Sequence, residues 1–590
     1  MGYDEIYASN GTVRDPYRGV VSVLEKQTIA QMDNFRKRSL ADFHGDNILI
    51  PVPRMLGKSE IHQLRTGVQQ RAKAIRAFLS DYYSGTKSYQ SGNVIPESLL
   101  QKIIKRSNES GIEKWTDGSN MGFWYGPDII RGPNGDFRII EDNPGHVGGM
   151  GDLKKAKKIM FQYIPELKKV INTPNPEKFY KALVDNYQQR CKGGSDKVVL
   201  LRYDNSVVAD QEDSRMQKIF GRLGVETVMV RDNLDDQRFR NSLVVRSDGV
   251  YLKTKGKTQE KVGFVIADME PNDIDPTHPS IYASNLKRQV LELIEDNDDT
   301  VEGISKSNGS KKEISSIKSQ NRLLRKLLVE TKDGKIDAGK IEAYFATNNP
   351  EILESLREGG ISGLLGEFYK GNVGINNAPG SDFIGDKEFY IYVEKMIEFY
   401  LGEKPIIKNL PTRTFRTFSK TGKEVLDQTL FNKVFDETTQ NKASYVIKRV
   451  DGRGGKSVWV GAKMDSWDSF AALKDIIVKE PDSFIVQQYT PLSQVDGHLV
   501  DLRLLSDVNS INTVVAPVPW GRAVLAKGSN GKVNISDNGG EQVVMVADPD
   551  LAQPQPKRRR IVGPTMASTR SRRPGIYDSF APFKLRHIGE

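Results

Sequence analysis

The amino-acid sequence predicts an α/β protein assembled from α+β subdomains. Val198–Tyr203 and Glu226–Arg231 are apolar enough to be buried strands, and the amphipathic stretch between them, which Gly224 closes, predicts a helix. A longer helix is predicted over residues 59–83, where apolar side chains recur at spacings of three and four. Residues 501–526 alternate as strand, turn and strand. With 590 residues, the chain has room for about two to four domains.

The composition excludes several classes of protein. Hydrophobic residues make up 37% of the chain and charged residues 27%, which is ordinary for a globular protein. No run of about 18 apolar residues is present, so we expect no membrane span and no membrane partner. The N-terminal residues lack the apolar core of a secretory signal, and the single cysteine, Cys191, rules out an intrachain disulfide and a thiolate metal cluster. We therefore expect a cytoplasmic protein.

The basic charge is concentrated at the C-terminal end. The last 44 residues hold nine Lys or Arg and four Asp or Glu, so they supply half of the formal net charge of +10. The rest of the chain is only mildly basic, which argues against a general nucleic-acid binder. We expect the Pro-rich segment 548–590 to be a disordered tail. Its basic run Lys557–Arg560 leaves a nuclear signal or a nucleic-acid contact open as an alternative.

A predicted hairpin within Gly126–Gly149 carries three oxygen donors. Two short strands flank an Asn-Gly turn, with Asp128 at the start of the first strand and Glu141 and Asn143 at the end of the second. Side chains at i and i+2 of a strand share a face, so Glu141 and Asn143 point the same way, and the hairpin can bring Asp128 near them. Three oxygen donors suit Mg2+. A solvated hairpin followed by a turn explains the same residues equally well.

A lysine in the second half of the chain has the surroundings of a phosphate ligand. Lys448 ends an apolar strand and precedes a glycine-rich turn that contains Gly452, Gly454 and Gly455. A lysine in this place supplies positive charge to a phosphate, and the backbone N–H groups of the turn can close over it. A P-loop is excluded because Val450 stands where its first glycine is required. The alternative is a solvated lysine at a strand end.

Two further features suit a nucleotide. Gln487, Gln488 and Tyr489 end another predicted strand, where backbone and amide groups can contact an adenine edge and a ribose. Arg503 and Arg522 fall on two strands of the predicted ladder and offer planar donors to phosphates. Each feature alone is also compatible with ordinary solvated strand residues.

The order of these features resembles that of a known fold. The nucleotide-binding part of an ATP-grasp domain is matched, in chain order, by Lys387, Lys448, Gln487–Tyr489, Arg503, Arg522 and Asn534. In that fold a helix, an Asp and a strand ending in Glu-x-Asn close the domain. Here they come first, as helix 59–83, Asp128, Glu141 and Asn143. The chain therefore resembles the circularly permuted ATP-grasp family (type 2), which is related to glutathionylspermidine synthase and to proposed peptide ligases.

The resemblance covers most of residues 1–275 and 359–546, through segments such as GPDIIR, IIEDNP, GNVGINNAPGS, GDK and NISDNGG. It implies five segments: 1–160 with the permuted metal-binding part, 161–280 as a βαβ domain similar to a pre-ATP-grasp domain, 281–358 as a partly disordered insertion, 359–547 as the nucleotide-binding part, and 548–590 as the tail. One departure is VIADMEPNDIDP at 265–276, where the family usually carries two arginines.

The resemblance also implies an activity. Members are ATP-dependent carboxylate–amine (or thiol) ligases that act through an acyl phosphate, with ATP and Mg2+ as cofactors and small-molecule or peptide carboxylates and amines as substrates; a peptide or a polyamine is the candidate here. The implied roles are metal ligands Asp128, Glu141 and Asn143; ATP contacts Lys387, Lys448, Gly452, Gly454, Gly455, Gln487, Gln488 and Tyr489; and catalytic residues Arg503 and Arg522, with Arg131 and Asn534 as further candidates. The missing arginines leave a catalytically weak or inactive nucleotide-binding scaffold open as an alternative. The oligomeric state stays open.

Overall fold

The structure is a computed structural model. It describes residues 2–42, 48–107, 121–145, 147–171, 174–203, 211–230, 241–254, 258–279, 281–306, 310–329, 336–419, 424–436, 444–452, 457–463, 473–535 and 539–547. The predicted tail 548–590 and the glycines Gly454 and Gly455 lie outside these residues.

A central mixed sheet joins the two halves of the chain. Its strands follow one another in the order Ile48–Leu49, Gly540–Gln542, Trp520–Leu525, His498–Arg503, Asp128–Arg131, Phe137–Glu141 and Lys408–Asn409, and Gln494–Val495 pairs with His498–Arg503 beside this path. The predicted hairpin, from the first quarter of the chain, thus lies between Lys408–Asn409 and His498–Arg503, a strand from the last fifth of the chain. Antiparallel pairing of Arg503 with Asp128 makes this junction.

The predicted hairpin is confirmed in position and turn. Gly135 has φ +86°, a left-handed conformation that glycine adopts without strain. Arg131 pairs with Phe137, and Asp128 pairs with Glu141 across a bulge that follows Asp128. The bulge accommodates one extra residue on the second strand, and the two carboxylates consequently become direct cross-strand neighbours.

The predicted helix is also confirmed, as Lys58–Ser84, and it packs on a three-stranded sheet of Gly122–Tyr125, Ser506–Asn509 and Thr513–Val515. The spacing of the apolar residues predicts a solvated face for Gln69, Gln70 and Arg71, and this prediction is wrong for Gln70 and Arg71, which are buried. Arg71 is buried and donates two hydrogen bonds to Asp142, of 2.8 and 2.6 Å. Gln70 is buried against Glu403 and Lys404. Partners this distant in sequence do not show in helical periodicity.

The predicted βαβ unit is confirmed as Val198–Tyr203, Gln211–Gly221 and Glu226–Val230, and the two strands pair in parallel. They belong to a four-stranded parallel sheet whose other strands are Phe264–Asp268 and Gly374–Asn376. The last strand comes from beyond the insertion, so this sheet is completed by chain on both sides of residues 281–358.

A smaller subdomain holds the predicted glycine-turn hairpin. Its sheet has the order Thr412–Thr414, Phe484–Gln488, Tyr445–Arg449 and Val458–Val460, all antiparallel. Helices Gln428–Phe435 and Leu473–Lys479 cover one face and share with it a core that includes Phe431, Ile447 and Ile477. The other face therefore turns toward the central sheet.

The insertion 281–358 is helical over its described residues, and the expectation of partial disorder stays a prediction for the residues outside them. Its described residues form four helices, Tyr282–Lys306, Lys311–Leu327, Ala338–Asn348 and Pro350–Glu358, with a core of their own around Leu286, Val290, Leu324 and Phe345. A narrow apolar stripe on each helix is enough for this small core, while the remaining faces stay charged, which is why the average composition looked disordered.

The remaining helices are Arg18–Leu24, Ile29–Asp42, Ser88–Ser91, Glu97–Arg106, Asp152–Tyr163, Glu177–Gln189, Leu364–Tyr369 and Val393–Met396. The remaining strands are the pair Arg54–Leu56 and Val544–Val546, the meander Asn241–Arg246, Gly249–Thr254 and Glu260–Val262, and the pair Arg416–Phe418 and Glu424–Leu426. None of the described helices combines the length and apolar character that a membrane crossing requires.

Candidate functional site

One face of the central sheet carries two rows of polar cross-strand neighbours. Pairing partners and residues two apart on a strand share a face of a sheet. The first row runs Trp520, Arg503, Asp128 and Glu141, and the second runs Glu541, Arg522 and Asp501. Four β-pairings therefore bring together residues that are up to four hundred positions apart in the sequence.

Asp128 is the centre of this face. It accepts hydrogen bonds of 2.7 and 3.1 Å from Arg503 and lies 2.9 Å from a terminal guanidinium nitrogen of Arg522. Arg522 also donates two hydrogen bonds, of 3.0 and 2.7 Å, to Asp501. Burial raises the pKa of Asp128, but the two guanidinium groups outweigh burial and hold its pKa well below the ordinary range. Two arginines are thus held in place by two buried carboxylates.

Glu141 lies beside Asp128 and faces the small subdomain. Its Oε1 is 3.0 Å from the ammonium nitrogen of Lys387, which also donates to the carbonyl of Gly452. The backbone N–H of Lys387 donates to the carbonyl of Val450, at 3.0 Å. Glu141 remains 23% exposed, whereas the Lys387 side chain is 5% exposed. Lys387 therefore links the acidic hairpin to the start of the glycine-rich turn.

Lys387 is itself fixed by its two acidic neighbours in sequence. Asp386 accepts a hydrogen bond from the Glu388 N–H at 2.8 Å. Arg106, at the end of helix Glu97–Arg106, pairs with both carboxylates. These contacts hold the backbone on both sides of Lys387 and so set the direction in which its side chain points.

Lys448 and Gln487 approach the same hairpin from the small subdomain. The Lys448 ammonium group donates to the carbonyl oxygen of Ile140 at 3.3 Å, and the Gln487 amide lies 3.4 Å from the same oxygen. Burial lowers the pKa of Lys448 to about 8, with partial compensation by the negative charge of Glu141. The predicted phosphate lysine and the strand-end glutamine therefore reach one edge of the acidic hairpin.

The oxygen donors suit a hard divalent cation. Asn143 donates from its amide nitrogen to the Gly126 carbonyl at 3.0 Å, which leaves its Oδ1 as the coordinating end. Asp128 already accepts from two arginines, so Glu141 and Asn143 are the more accessible donors. No trio of His, Cys, Asp or Glu forms a metal cluster within the described part of the chain. A cation here would take two carboxylates, one amide oxygen and further oxygens from a bound phosphate or water.

Other predicted site residues lie at the border of this group or outside it. Gln488 is the last residue of the strand Phe484–Gln488, and the Tyr489 N–H that follows it donates to the Ser444 carbonyl at 2.7 Å. Asn534 accepts through its backbone carbonyl from Gly539 at 3.1 Å.

Arg131 lies in a separate buried cluster. It pairs with Glu5 and Glu60 and stacks on Phe137 at 4.7 Å. Glu5 also pairs with Arg54. These ion pairs connect the N-terminal residues to the hairpin. In this structure Arg131 therefore has a structural role, the packing of the N-terminal segment against the central sheet.

Two residues of the site were missed by reasoning from sequence. Asp501 alternates with Arg503 on one strand, and this Asp-x-Arg spacing signals two charged side chains on one face. Trp520 stands opposite Arg503, but a single aromatic residue in a strand carries no signal of its own.

A family model described as circularly permuted ATP-grasp type 2 matches residues 53–280 and 345–512, more than half of the chain. The chain belongs to the circularly permuted ATP-grasp type 2 family. This confirms the predicted family and the predicted fold class. The unmatched stretch between the two ranges falls in the helical insertion, which agrees with its having a separate core.

Relatives of this ATP-grasp protein share low identity over most of its length. A protein of Mycobacterium tuberculosis that carries the description uncharacterised is 25% identical over 93% of this chain and 84% of its own length. A Frankia alni protein with the provisional name glutamate–cysteine ligase 2-3 is 23% identical over 92% of this chain and 53% of its own length.

Among solved structures, an effector from Globodera pallida that resembles glutathione synthetase, solved in its apo form, covers 88% of this ATP-grasp protein and 97% of its own chain. Its identity is 10% and its TM-score is 0.47. A TM-score this low does not establish a shared fold, so the family match and the sheet topology carry the assignment.

Proposed function

We propose that this ATP-grasp protein is an ATP-dependent carboxylate–amine ligase that acts through an acyl phosphate. The observation that carries the proposal is the face of the central sheet where Asp128 and Glu141 are surrounded by Lys387, Arg503 and Arg522. Acidic oxygen donors and fixed cations side by side are what binding of a metal–nucleotide phosphate requires. ATP and Mg2+ are accordingly the proposed cofactors.

We assign each residue of the site a role from where it lies relative to Asp128 and Glu141. Glu141 and Asn143, with Asp128 behind them, hold Mg2+. Lys387 and Lys448 contact the phosphates, and the chain around Gly452 closes over them. The strand exit Gln487–Tyr489 lines the adenine site. Bound Mg2+ neutralises charge on the β- and γ-phosphates of ATP.

The two arginines act where charge moves during phosphoryl transfer. In the first step, an oxygen of the substrate carboxylate bonds to the γ-phosphorus, the bond to the β-bridging oxygen breaks, and ADP leaves. In the second step, an amine bonds to the acyl carbon, the bond to the phosphate oxygen breaks, and the amine gives up a proton. In this proposal Arg503 and Arg522 stabilise the phosphoryl oxygens in both steps, and their hydrogen bonds to Asp128 and Asp501 support it by fixing both guanidinium groups before the substrate arrives.

The substrate class is a carboxylate and an amine, either small molecules or a peptide. The provisional name of the Frankia relative makes glutamate and cysteine the first pair to test. Peptides and polyamines come next, because the resemblance in sequence extends to glutathionylspermidine synthase.

The competing function is a nucleotide-binding scaffold with little or no catalysis. It is favoured by residues 265–276, where no arginine occurs and where the strand Phe264–Asp268 ends at the carboxyl edge of the parallel sheet. Ligands of open α/β sheets bind at this edge. Loss of positive charge at this edge lowers the affinity for an acidic substrate and leaves nucleotide binding on the central sheet intact.

One assay separates the two functions. The protein is mixed with ATP, Mg2+ and a panel of carboxylates and amines, and ADP release and product mass are measured. The ligase is expected to release ADP only with a matching pair and to give an amide lighter than its parts by one water. With a carboxylate labelled by 18O, one label must appear in the released phosphate. Nucleotide binding without ADP release from any pair would instead support the scaffold.

The charge state of Lys448 leads to a separate prediction, on how the affinity for MgADP depends on pH. Because burial lowers its pKa to about 8, the ammonium form dominates below pH 8 and the neutral amine above it. Affinity for MgADP is therefore expected to weaken by up to about tenfold per pH unit above 8, since a neutral lysine no longer attracts phosphate. Calorimetric titration between pH 6.5 and 9.5 measures this slope.

Two variants test the assignment of that slope to Lys448. Lys448→Arg keeps its charge throughout this range, so its affinity should not respond to pH, and Lys448→Met should bind weakly at every pH. If both variants retained the slope of the wild type, another group would be responsible.

A further inference from the structure

One aromatic ring lies against both arginines of the Asp128 centre. The guanidinium carbons of Arg503 and Arg522 are each 5.7 Å from the centroid of the Trp520 ring, a cation–π distance. Trp520 pairs with Arg503 across the sheet and lies two residues before Arg522 on its own strand, so all three side chains share one face. Trp520 is 7% exposed, and its contact with the two cations is therefore shielded from water.

The ring is held from two further directions. Its indole N–H donates to Oε2 of Glu541 at 2.8 Å. Gly149, at φ +101°, lies so close that a Cβ built on it would stand 2.4 Å from ring atom Cδ2. A hydrogen bond and a close backbone contact thus define where the ring lies before any ligand is bound.

Glu541 is the hydrogen-bond partner of the indole ring. Burial raises the pKa of Glu541 well above its ordinary value, and the negative charge of the nearby Asp152 raises it further. Arg503 and Arg522 pair with Asp128, and Arg522 also pairs with Asp501.

We propose that Trp520 is a positioning residue that orients the guanidinium planes of Arg503 and Arg522 toward the phosphoryl site. Each arginine is anchored to carboxylates along an edge, and a planar group anchored along one edge can still rotate about that edge. Contact with a fixed ring removes this rotation. Because guanidinium donors bind phosphoryl oxygens only in their own plane, the orientation decides whether they reach the transferring group. This inference rests on the proposed ligase function.

The first experiment needs neither substrate nor turnover. Protein labelled with 15N at arginine Nε is observed by NMR, and Arg503→Lys and Arg522→Lys identify the two signals. Both Nε–H protons are expected to carry a ring-current shift that disappears in Trp520→Leu and persists in Trp459→Phe, which changes a partly buried tryptophan packed against the core of the small subdomain. Unchanged arginine signals in Trp520→Leu would overturn the inference.

The second experiment separates orientation from simple packing. Fluorinated tryptophans are introduced at position 520 alone by amber suppression, since each fluorine withdraws charge from the ring face with little change in size. The kcat of the ligase reaction is expected to fall in steps, on the order of tenfold at the most fluorinated ring, while KM for ATP stays nearly constant. The positioning role would be refuted if KM for ATP rose as kcat fell, or if kcat did not change with fluorination.

The two experiments fail in different ways. If no carboxylate and amine support turnover in the wild-type protein, the ligase proposal fails, and the NMR measurement still decides whether Trp520 orients the arginines. If the wild type is active and its arginine signals do not depend on Trp520, the positioning role fails alone.

Discussion

Glu141→Ala is expected to lower Mg2+-dependent ATP turnover on the order of 10²- to 10³-fold, because it removes the accessible carboxylate of the proposed metal site and leaves the Lys387 charge uncompensated. The fold should persist. Lys387 is buried but keeps its hydrogen bond to the Gly452 carbonyl in the variant, so the expected loss of stability is about 1–3 kcal/mol. Steady-state ADP release over a range of Mg2+ concentrations measures the effect, and circular dichroism checks the fold.

A matched control exists on the parallel sheet. Glu226 also pairs with a lysine, Lys197, at 2.6 Å and is similarly exposed, but it is not among the residues of the two polar rows. Glu226→Ala should therefore leave turnover unchanged. Glu141→Asp should retain part of the activity at high Mg2+, since one carboxylate remains. Unaltered turnover in Glu141→Ala would remove Glu141 from the metal site.

Asp128→Asn is expected to destabilise the protein by about 3–5 kcal/mol, the cost of leaving buried charges without their partner. Arg503 and Arg522 would both lose the carboxylate that they share. The midpoint of thermal unfolding, followed by calorimetry on the wild type and the variant, reports the loss. A matched change on the same hairpin is Asp136→Asn, because the Asp136 side chain is 42% exposed and pairs with the partly exposed Arg138, so its effect should be about 0–1 kcal/mol.

The destabilisation should depend on pH in a defined direction. The pKa of Asp128 lies well below its ordinary value in the folded protein, so the unfolded chain takes up the proton first as the pH falls. The contribution of Asp128 to stability is therefore complete above the unfolded pKa of about 3.9 and declines below it. The gap between wild type and Asp128→Asn should narrow below about pH 4. A gap that is small at pH 7, or one that widens in acid, would show that other groups satisfy the arginines.

The helix Lys58–Ser84 and the hairpin around Gly135 could be predicted from sequence because short-range rules govern them. Helical spacing of apolar residues and an Asn-Gly turn act within a few residues. The helical insertion shows the limit of such rules: its mean composition is that of a disordered segment, although narrow stripes around Leu324 and Phe345 build a core.

The site was predictable as a set of residue types in a certain order, and less so as a set of contacts. The order of Lys448, Arg503 and Glu141 identified the family, which the family match confirms. The partners of these residues did not follow from it. Arg71 and Gln70 were expected in solvent and are buried, and Arg131 proved to pair with Glu5 and Glu60 in a cluster of its own.

The sequence by itself determined the fold class, the acidic hairpin and the permuted order of its segments, because these depend on local periodicity and chain order. Only the tertiary structure decided that Asp128 is shared by Arg503 and Arg522, that Asp501 braces Arg522 and that Trp520 lies against both arginines. The physical reason is the register of the central sheet. Its pairings join residues as many as 492 positions apart, as between Ile48 and Gly540, and no pattern within either segment specifies which residue will stand opposite which.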